Sequence, residues 1–195
     1  MKTFYSLLFL TLGLGLGCRA QTLPTFSTAD SETWYIIQFC RGEAALQDMG
    51  NAAVLKTAQA DKNNEAQLWK VTGGQDNCEI IGKSGRHIYY NGDRFAASAT
   101  QTGRLKLVAT TNSTYAPAWE IQAAATSGKS MNQWGGYVPD RELGAWSAGD
   151  VNNPLLFIDP ATLPDTDPQP SKLTEWAVTA NSSYRPDNLL TLWYT

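Results

Sequence analysis

The chain has 195 residues, 43% of them hydrophobic, with 15 lysines and arginines against 18 aspartates and glutamates. That length and apolar content suffice for one well-packed domain with a remainder. The acidic balance counts against a nucleic-acid or anionic-membrane partner, which would need a basic stripe, and leaves a neutral ligand open.

Residues 1–20 read as a signal peptide, with Lys2 as the positive start, an apolar run over 4–17, and Cys18-Arg19-Ala20 as a small-x-small cleavage site before Gln21. The run is too short, and too rich in Leu-Gly alternation, for a comfortable membrane span. The expectation is therefore a secreted, periplasmic or cell-surface protein with no membrane insertion after cleavage. A lipoprotein acylated at Cys18 is the competing reading, disfavoured by Gly15 at a place where such motifs carry an aliphatic residue. Cleavage leaves 13 basic against 18 acidic residues, a charge of about −5. Residues 21–32, bearing Thr, Ser and Pro with little periodicity, read as a spacer.

Apolar alternation begins at Trp34 and continues to Ile158, without helical periodicity beyond about two turns. Strand-like stretches fall into three groups. The first covers 34–39, 46–48, 54–56 and 67–71; the second 79–90, 95–98, 105–108 and 118–121; the third 120–122, 128–134, 143–146 and 156–159. Gly, Asn, Asp and Ser turns separate them, the signature of an all-β sandwich or barrel. Gln67-Leu68-Trp69-Lys70-Val71 sets a pattern of a buried aromatic within polar and apolar alternation, and two later stretches repeat it. They are Ala118-Trp119-Glu120-Ile121 and Leu156-Phe157-Ile158-Asp159. Trp69, Trp119 and Phe157 are thereby expected as equivalent core aromatics, 50 and then 38 residues apart. A period in that range points to a repeat architecture whose units bury one shared core.

Three such units, each ending in a Gln-x-Trp-like element, resemble the ricin-type β-trefoil, the R-type lectin fold, over residues 33–159. Only Gln67 to Trp69 keeps the complete element; Pro117 replaces the Gln in the second unit, and Leu155 and Phe157 replace Gln and Trp in the third. The resemblance implies an all-β trefoil of three four-strand repeats and carbohydrate binding at shallow sites. It also implies a galactose site built from an early Asp, an aromatic near the third strand and a later Asn or Gln. Asp48 matches the early Asp, but Thr57 falls near the aromatic position and Lys62 or Asn63 near the amide. Tyr89 and Tyr90 supply rings in the second unit, without an Asp at the matching place. No unit keeps the complete site.

The third unit nevertheless holds the parts that sugar recognition needs: an aromatic face for a pyranose ring, with a carboxylate and an amide for adjacent hydroxyls. Trp134 and Trp146 are additional to Phe157, and Asn132, Gln133, Arg141, Asp150, Asn152 and Asn153 stand around them, with Gly135, Gly136 and Gly149 allowing close backbone approach. The alternative for the two tryptophans is packing in hydrophobic caps under long loops. Export permits a disulfide between Cys40 and Cys78; the alternative is two buried thiols.

Residues 160–171 carry four prolines and read as a semi-rigid linker, and 172–195 as the start of a further β-rich domain. The last six residues, Leu190-Thr191-Leu192-Trp193-Tyr194-Thr195, resemble the opening of the catalytic region of glycoside hydrolase family 95, which includes α-L-fucosidases. That resemblance implies a secreted hydrolase with its catalytic region beyond Thr195. Within the chain itself no catalytic residue is expected. His87 is the one histidine, no His/Cys/Asp cluster has metal-ligand spacing, and neither a phosphate loop nor Gly-x-Ser-x-Gly is present. The sequence thus predicts an exported, non-catalytic, cofactor-free module whose partner is a glycan or polysaccharide. The alternatives are the front of a glycoside hydrolase and a structural or protein-interaction trefoil with degenerate sugar sites.

Overall fold

The computed structural model describes residues 22–164, apart from 127 and 137. The signal peptide with Cys18, most of the linker, and the terminal stretch with its hydrolase resemblance lie outside the described residues.

The described chain forms β1 (Tyr35–Phe39), β2 (Ala44–Gln47), β3 (Ala53–Val54), β4 (Lys56–Gln59), β5 (Leu68–Gly74), β6 (Asn77–Gly82) and β7 (His87–Tyr90). It continues with β8 (Phe95–Ser98), β9 (Leu105–Ala109), β10 (Trp119–Ala123), β11 (Lys129–Gln133), β12 (Leu143–Ser147) and β13 (Leu155–Ile158). The units are β1-β2-β4-β5, β6 to β9, and β10 to β13. In each, the first strand pairs with the last, as β1 with β5, β6 with β9 and β10 with β13. Each last strand also pairs with the first strand of the next unit, as β5 with β6, β9 with β10 and β13 with β1. Six strands thus close into a ring with no edge left open, which removes the aggregation hazard of an unpaired strand. The middle strands form three hairpins, β2 with β4, β7 with β8 and β11 with β12. These hairpins are laced to one another by Val54 against Ala96, Lys56 against Glu142 and Arg94 against Gly144.

The register shows which residues are equivalent. Trp69 lies opposite Tyr35 and Gly82, Leu105 opposite Cys78 and Ala123, and Leu155 opposite Trp119 and Phe39. Two residues further on, Val71, Leu107 and Phe157 face Ile80, Ile121 and Ile37, and all six are buried in the common core. Cross-strand volumes compensate. The largest side chain, Trp69, faces Gly82, where an added Cβ would stand 3.2 Å from the indole Cζ3; Leu105 faces alanine; Leu155 faces phenylalanine. Such complementarity lets an uneven set of residues fill a barrel to interior density.

This register corrects the assignment of Trp119. Rather than closing the second unit, it opens the third, as the counterpart of Tyr35 and Cys78, and it is half-buried against the core. Its indole Nε1 has no hydrogen-bond partner among the described residues. The alternation Trp-Glu-Ile-Gln is the same whether a strand ends one unit or begins the next, so it could not fix the boundary. Trp69 and Phe157 are core residues, but the counterparts of Trp69 are Leu105 and Leu155.

The Gln-x-Trp element moves accordingly, to Gly103-x-Leu105 and Asn153-x-Leu155. Gln67 Nε2 donates to Gln59 O at 2.8 Å and Asn153 Nδ2 to Ser147 O at 2.8 Å, so each ties its loop to the end of the unit's third strand. In the second unit a Cβ on Gly103 would stand 2.5 Å from Ile88 O and 2.6 Å from Tyr89 Cα. No side chain fits there, and the tie is replaced by direct backbone approach.

Cys40 and Cys78 are not joined. Cys78 lies opposite Gly73 near one end of β5, whereas β1 meets β5 at Tyr35 and Ile36 and runs on past its other end before Cys40. Register thus holds the two far beyond the Cα separation a disulfide needs. Cys78 is buried in the core, directs Sγ at Leu105 O at 3.4 Å, and burial pushes its thiol up to about 12. The segment read as a spacer is also held down: Leu23 and Phe26 pack on the core, Ser27 N donates to Val71 O, and Thr25 N donates to Tyr35 Oη at 2.8 Å. At the other end, Asp159 caps a 3-10 turn at Pro160–Thr162, and Lys62 Nζ donates to Leu163 O at 3.0 Å.

Candidate functional site

The site is built on the hairpin of the third unit. Ser130 lies opposite Trp146 and Asn132 opposite Gly144, so these residues share one face of β11 and β12. Trp134, two residues beyond Asn132, returns to that face and lays its indole on Gly144, where an added Cβ would stand 2.9 Å from Cε3. A glycine at 144 is what allows the ring to lie flat there. The turn from 148 to 153 then brings Asp150 and Asn152 alongside. Together Asn132, Trp134, Gly135, Gly136, Trp146, Asp150 and Asn152 line an open cleft of about 340 Å³.

Five of the six residues predicted to bind ligand therefore meet in one place. Trp134 and Trp146 are not caps over a core, being 39% and 52% exposed. The Arg94 guanidinium stands 3.5 Å from the Trp134 ring centroid, a cation–π contact that holds the indole in position. Trp146 is the more open ring. Asp150 Oδ1 accepts Asn132 Nδ2 at 3.0 Å and Asn152 N at 2.9 Å, and Asn152 Oδ1 accepts Arg41 Nη1 at 3.1 Å. Among the described residues no protein group engages Asp150 Oδ2 or Asn152 Nδ2, one acceptor and one donor at the cleft.

Asp48 does not belong to this site. Its side chain is 1% exposed, with Oδ1 accepting Gly50 N at 2.9 Å and Oδ2 accepting Ser84 Oγ at 2.7 Å and Arg86 Nε at 2.8 Å. With both oxygens occupied, this carboxylate ties the first unit to the second and offers nothing to a sugar hydroxyl.

Behind the cleft lies a buried carboxylate, Glu120, that the sequence reading passed over. Oε1 accepts Thr110 Oγ1 at 2.7 Å and Gly149 N at 3.0 Å; Oε2 accepts Ser130 Oγ and Asn153 Nδ2. Ser130 Oγ in turn accepts Gln122 Nε2 at 2.9 Å, and Asn132 Nδ2 donates to Asn153 Oδ1 at 2.7 Å. A carboxylate out of water is tolerated when donors surround it. Here those donors come from β9–β10 connections, β11 and the 148–153 turn, so Glu120 fixes the backbone that carries Asp150 and Asn152. Its only sequence signal was a polar position in a strand where neighbouring hydroxyls and amides are spaced two apart.

A second cleft, of about 670 Å³, lies at the second unit between Tyr89, Tyr90, Gln101 and Arg104, and among the described residues no carboxylate lines it. His87 is near Glu79, with Nδ1 3.1 Å from Oε2, and belongs to neither cleft. Among the described residues no group of three or more His, Cys, Asp and Glu is placed to hold a metal ion.

No protein-family model and no curated protein matches the chain. Solved structures do. The Macrolepiota procera ricin B-like lectin, solved in complex with lactose, superposes with a TM-score of 0.57 at 13% identity, over 68% of this chain and 99% of that one. The Rhizoctonia solani agglutinin gives 0.55 at 17% identity, over 70% and 99%. ThreeFoil, a designed threefold-symmetric protein, gives 0.56 at 15% identity, over 65% and 98%. At such identities the likeness speaks for fold alone, and the fold it shows is the one read from the strand register: strands β1 to β13 form a β-trefoil of the kind found in ricin B-like lectins.

Proposed function

We propose that the chain is an exported, non-catalytic carbohydrate-binding module whose working site is the cleft of the third unit. The observation that carries this is the half-exposed Trp146 ring beside one carboxylate oxygen and one amide nitrogen that no group among the described residues engages. A pyranose ring presents an apolar C–H face to an indole and vicinal hydroxyls at its rim. Asp150 Oδ2 accepts from one such hydroxyl and Asn152 Nδ2 donates to its neighbour. The lactose of the Macrolepiota lectin structure supports the ligand class for this fold. The cleft is at the small end for ligand sites, so single-site affinity is weak and gains from presentation in several copies.

The test is a broad glycan array that includes galactosides and fucosides, probed with the intact chain and with Trp146→Ala. The variant is expected to lose binding by roughly ten-fold or more. Because the ring is half in solvent, its removal is expected to change stability by less than about 1 kcal/mol. Unchanged binding by Trp146→Ala, or no binding by the folded wild type, overturns the proposal.

A further inference from the structure

The sugar-binding cleft has a neighbour with which it shares a wall. Trp134 and Gly135 line both it and an adjoining cleft of about 490 Å³, whose other walls are Arg94, Asp140, Arg141 and Glu142. The charges of this second cleft are not equally committed. Asp140 is paired with Lys56 at 2.9 Å, and Glu142 lies 3.5 Å from Arg94, which also stacks on Trp134. Arg141 differs. Its backbone is pinned on both sides, its N–H donating to Thr57 Oγ1 at 2.9 Å and its carbonyl accepting Thr57 N at 2.8 Å. Its side chain is exposed, and no hydrogen bond or ion pair engages the guanidinium among the described residues. That guanidinium stands beside Gly135, with Nη1 3.5 Å from where a Cβ would be, at the junction of the two clefts.

We infer that the site is bipartite: it takes two neighbouring residues of an oligosaccharide, a neutral ring on Trp146 and a second residue whose carboxylate or sulfate is held by Arg141. The inference rests on the glycan-binding reading and adds the chemical class of the glycan. Lys56 answers Asp140, whereas Arg94 is shared between Asp93 at 2.5 Å and Glu142 at 3.5 Å, which leaves Arg141 as the cation of this cleft open to an anion. A guanidinium suits the task, since its planar fork meets carboxylate and sulfate oxygens two at a time. Trp134 forms one part of the wall between the clefts, and glycine at 135 keeps the other part to backbone, where a linkage passes from one to the other.

The experiment uses the intact chain and matched oligosaccharide pairs. One arm compares uronic-acid glycans with their carboxamides, the other sulfated glycans with their desulfated forms, with affinities from calorimetry. The acidic member of one arm is expected to bind about ten-fold tighter than its neutral partner, and which arm shows this identifies the anion. Arg141→Gln brings the acidic member down to the level of the neutral one, Arg141→Lys keeps part of the preference, and raised salt shrinks it. Equal binding of both members in both arms, or a preference that survives Arg141→Gln, overturns the inference and leaves the simpler glycan proposal standing. Absence of binding to every member by a folded chain overturns both.

Discussion

Trp69→Ala is expected to destabilise the trefoil by about 3–5 kcal/mol, the usual cost of emptying a large aromatic site in a core. Whole domains are stable by about 5–15 kcal/mol, so much of the fold's margin rests on this side chain. Three features place it at the upper end. The ring is fully buried; its Nε1 donates to Leu46 O at 3.1 Å; and its cross-strand neighbour is Gly82, which has no side chain to collapse into the void. The threefold register also predicts a partial remedy. Leucine serves at the equivalent positions 105 and 155, where alanine and phenylalanine stand opposite. Trp69→Leu combined with Gly82→Ala should therefore be more stable than Trp69→Ala, the Ala methyl filling space that the indole leaves. Urea unfolding measures both, as a fall in midpoint at unchanged slope. A loss under about 1 kcal/mol for Trp69→Ala would show that the barrel does not close around this residue.

Glu120→Gln is the second large effect, and it links stability to binding. The substitution keeps the shape but turns one oxygen into a donor facing donors. Gly149 N–H and Asn153 Nδ2 cannot reverse their polarity, and the Ser130 hydroxyl already accepts from Gln122, so its own hydrogen is committed to Glu120. Each donor left without an acceptor costs about 1–3 kcal/mol. The expected loss is about 2–4 kcal/mol by denaturant titration. Glycan affinity should fall with it, because Gly149 is in the turn that presents Asp150 and Asn152. Trp146→Ala, by contrast, should lower affinity alone. If Glu120→Gln weakened the fold while leaving affinity intact, the turn would be positioned by something other than this carboxylate.

Much of this architecture was legible in the sequence because strands of a closed ring alternate in burial, as β5 and β6 do, and such alternation recurs between Trp34 and Ile158. The unit boundaries were not, since Trp119 with Ile121 looks like Trp69 with Val71 whichever end of a unit it occupies. Only pairing, Trp119 with Leu155 and Trp69 with Gly82, tells the two apart. At the site, Trp134 and Trp146 stood out because the core had no need of them, and Asp150 and Asn152 because they lay within a turn's reach. Asp48 misled for the opposite reason. The residues that consume its carboxylate, Ser84 and Arg86, come from the next unit and are invisible to a local reading. Glu120 was hidden in the same way, by partners on three separate segments.

The pairing of β1 with β13 sets Ile36 against Ile158, nearly the full length of the described chain apart. Such a contact forms only after a long loop has closed, an entropic cost that grows with the logarithm of the loop. Folds dominated by distant pairings reach the native state in milliseconds to seconds, where helical bundles take microseconds. For this chain the consequence is temporal. The first strand can meet β5 early but lacks its β13 neighbour until the last strand has been synthesised, so the ring is closed only when both of its ends are free to meet. That order of events suits a protein proposed to cross a membrane before it folds.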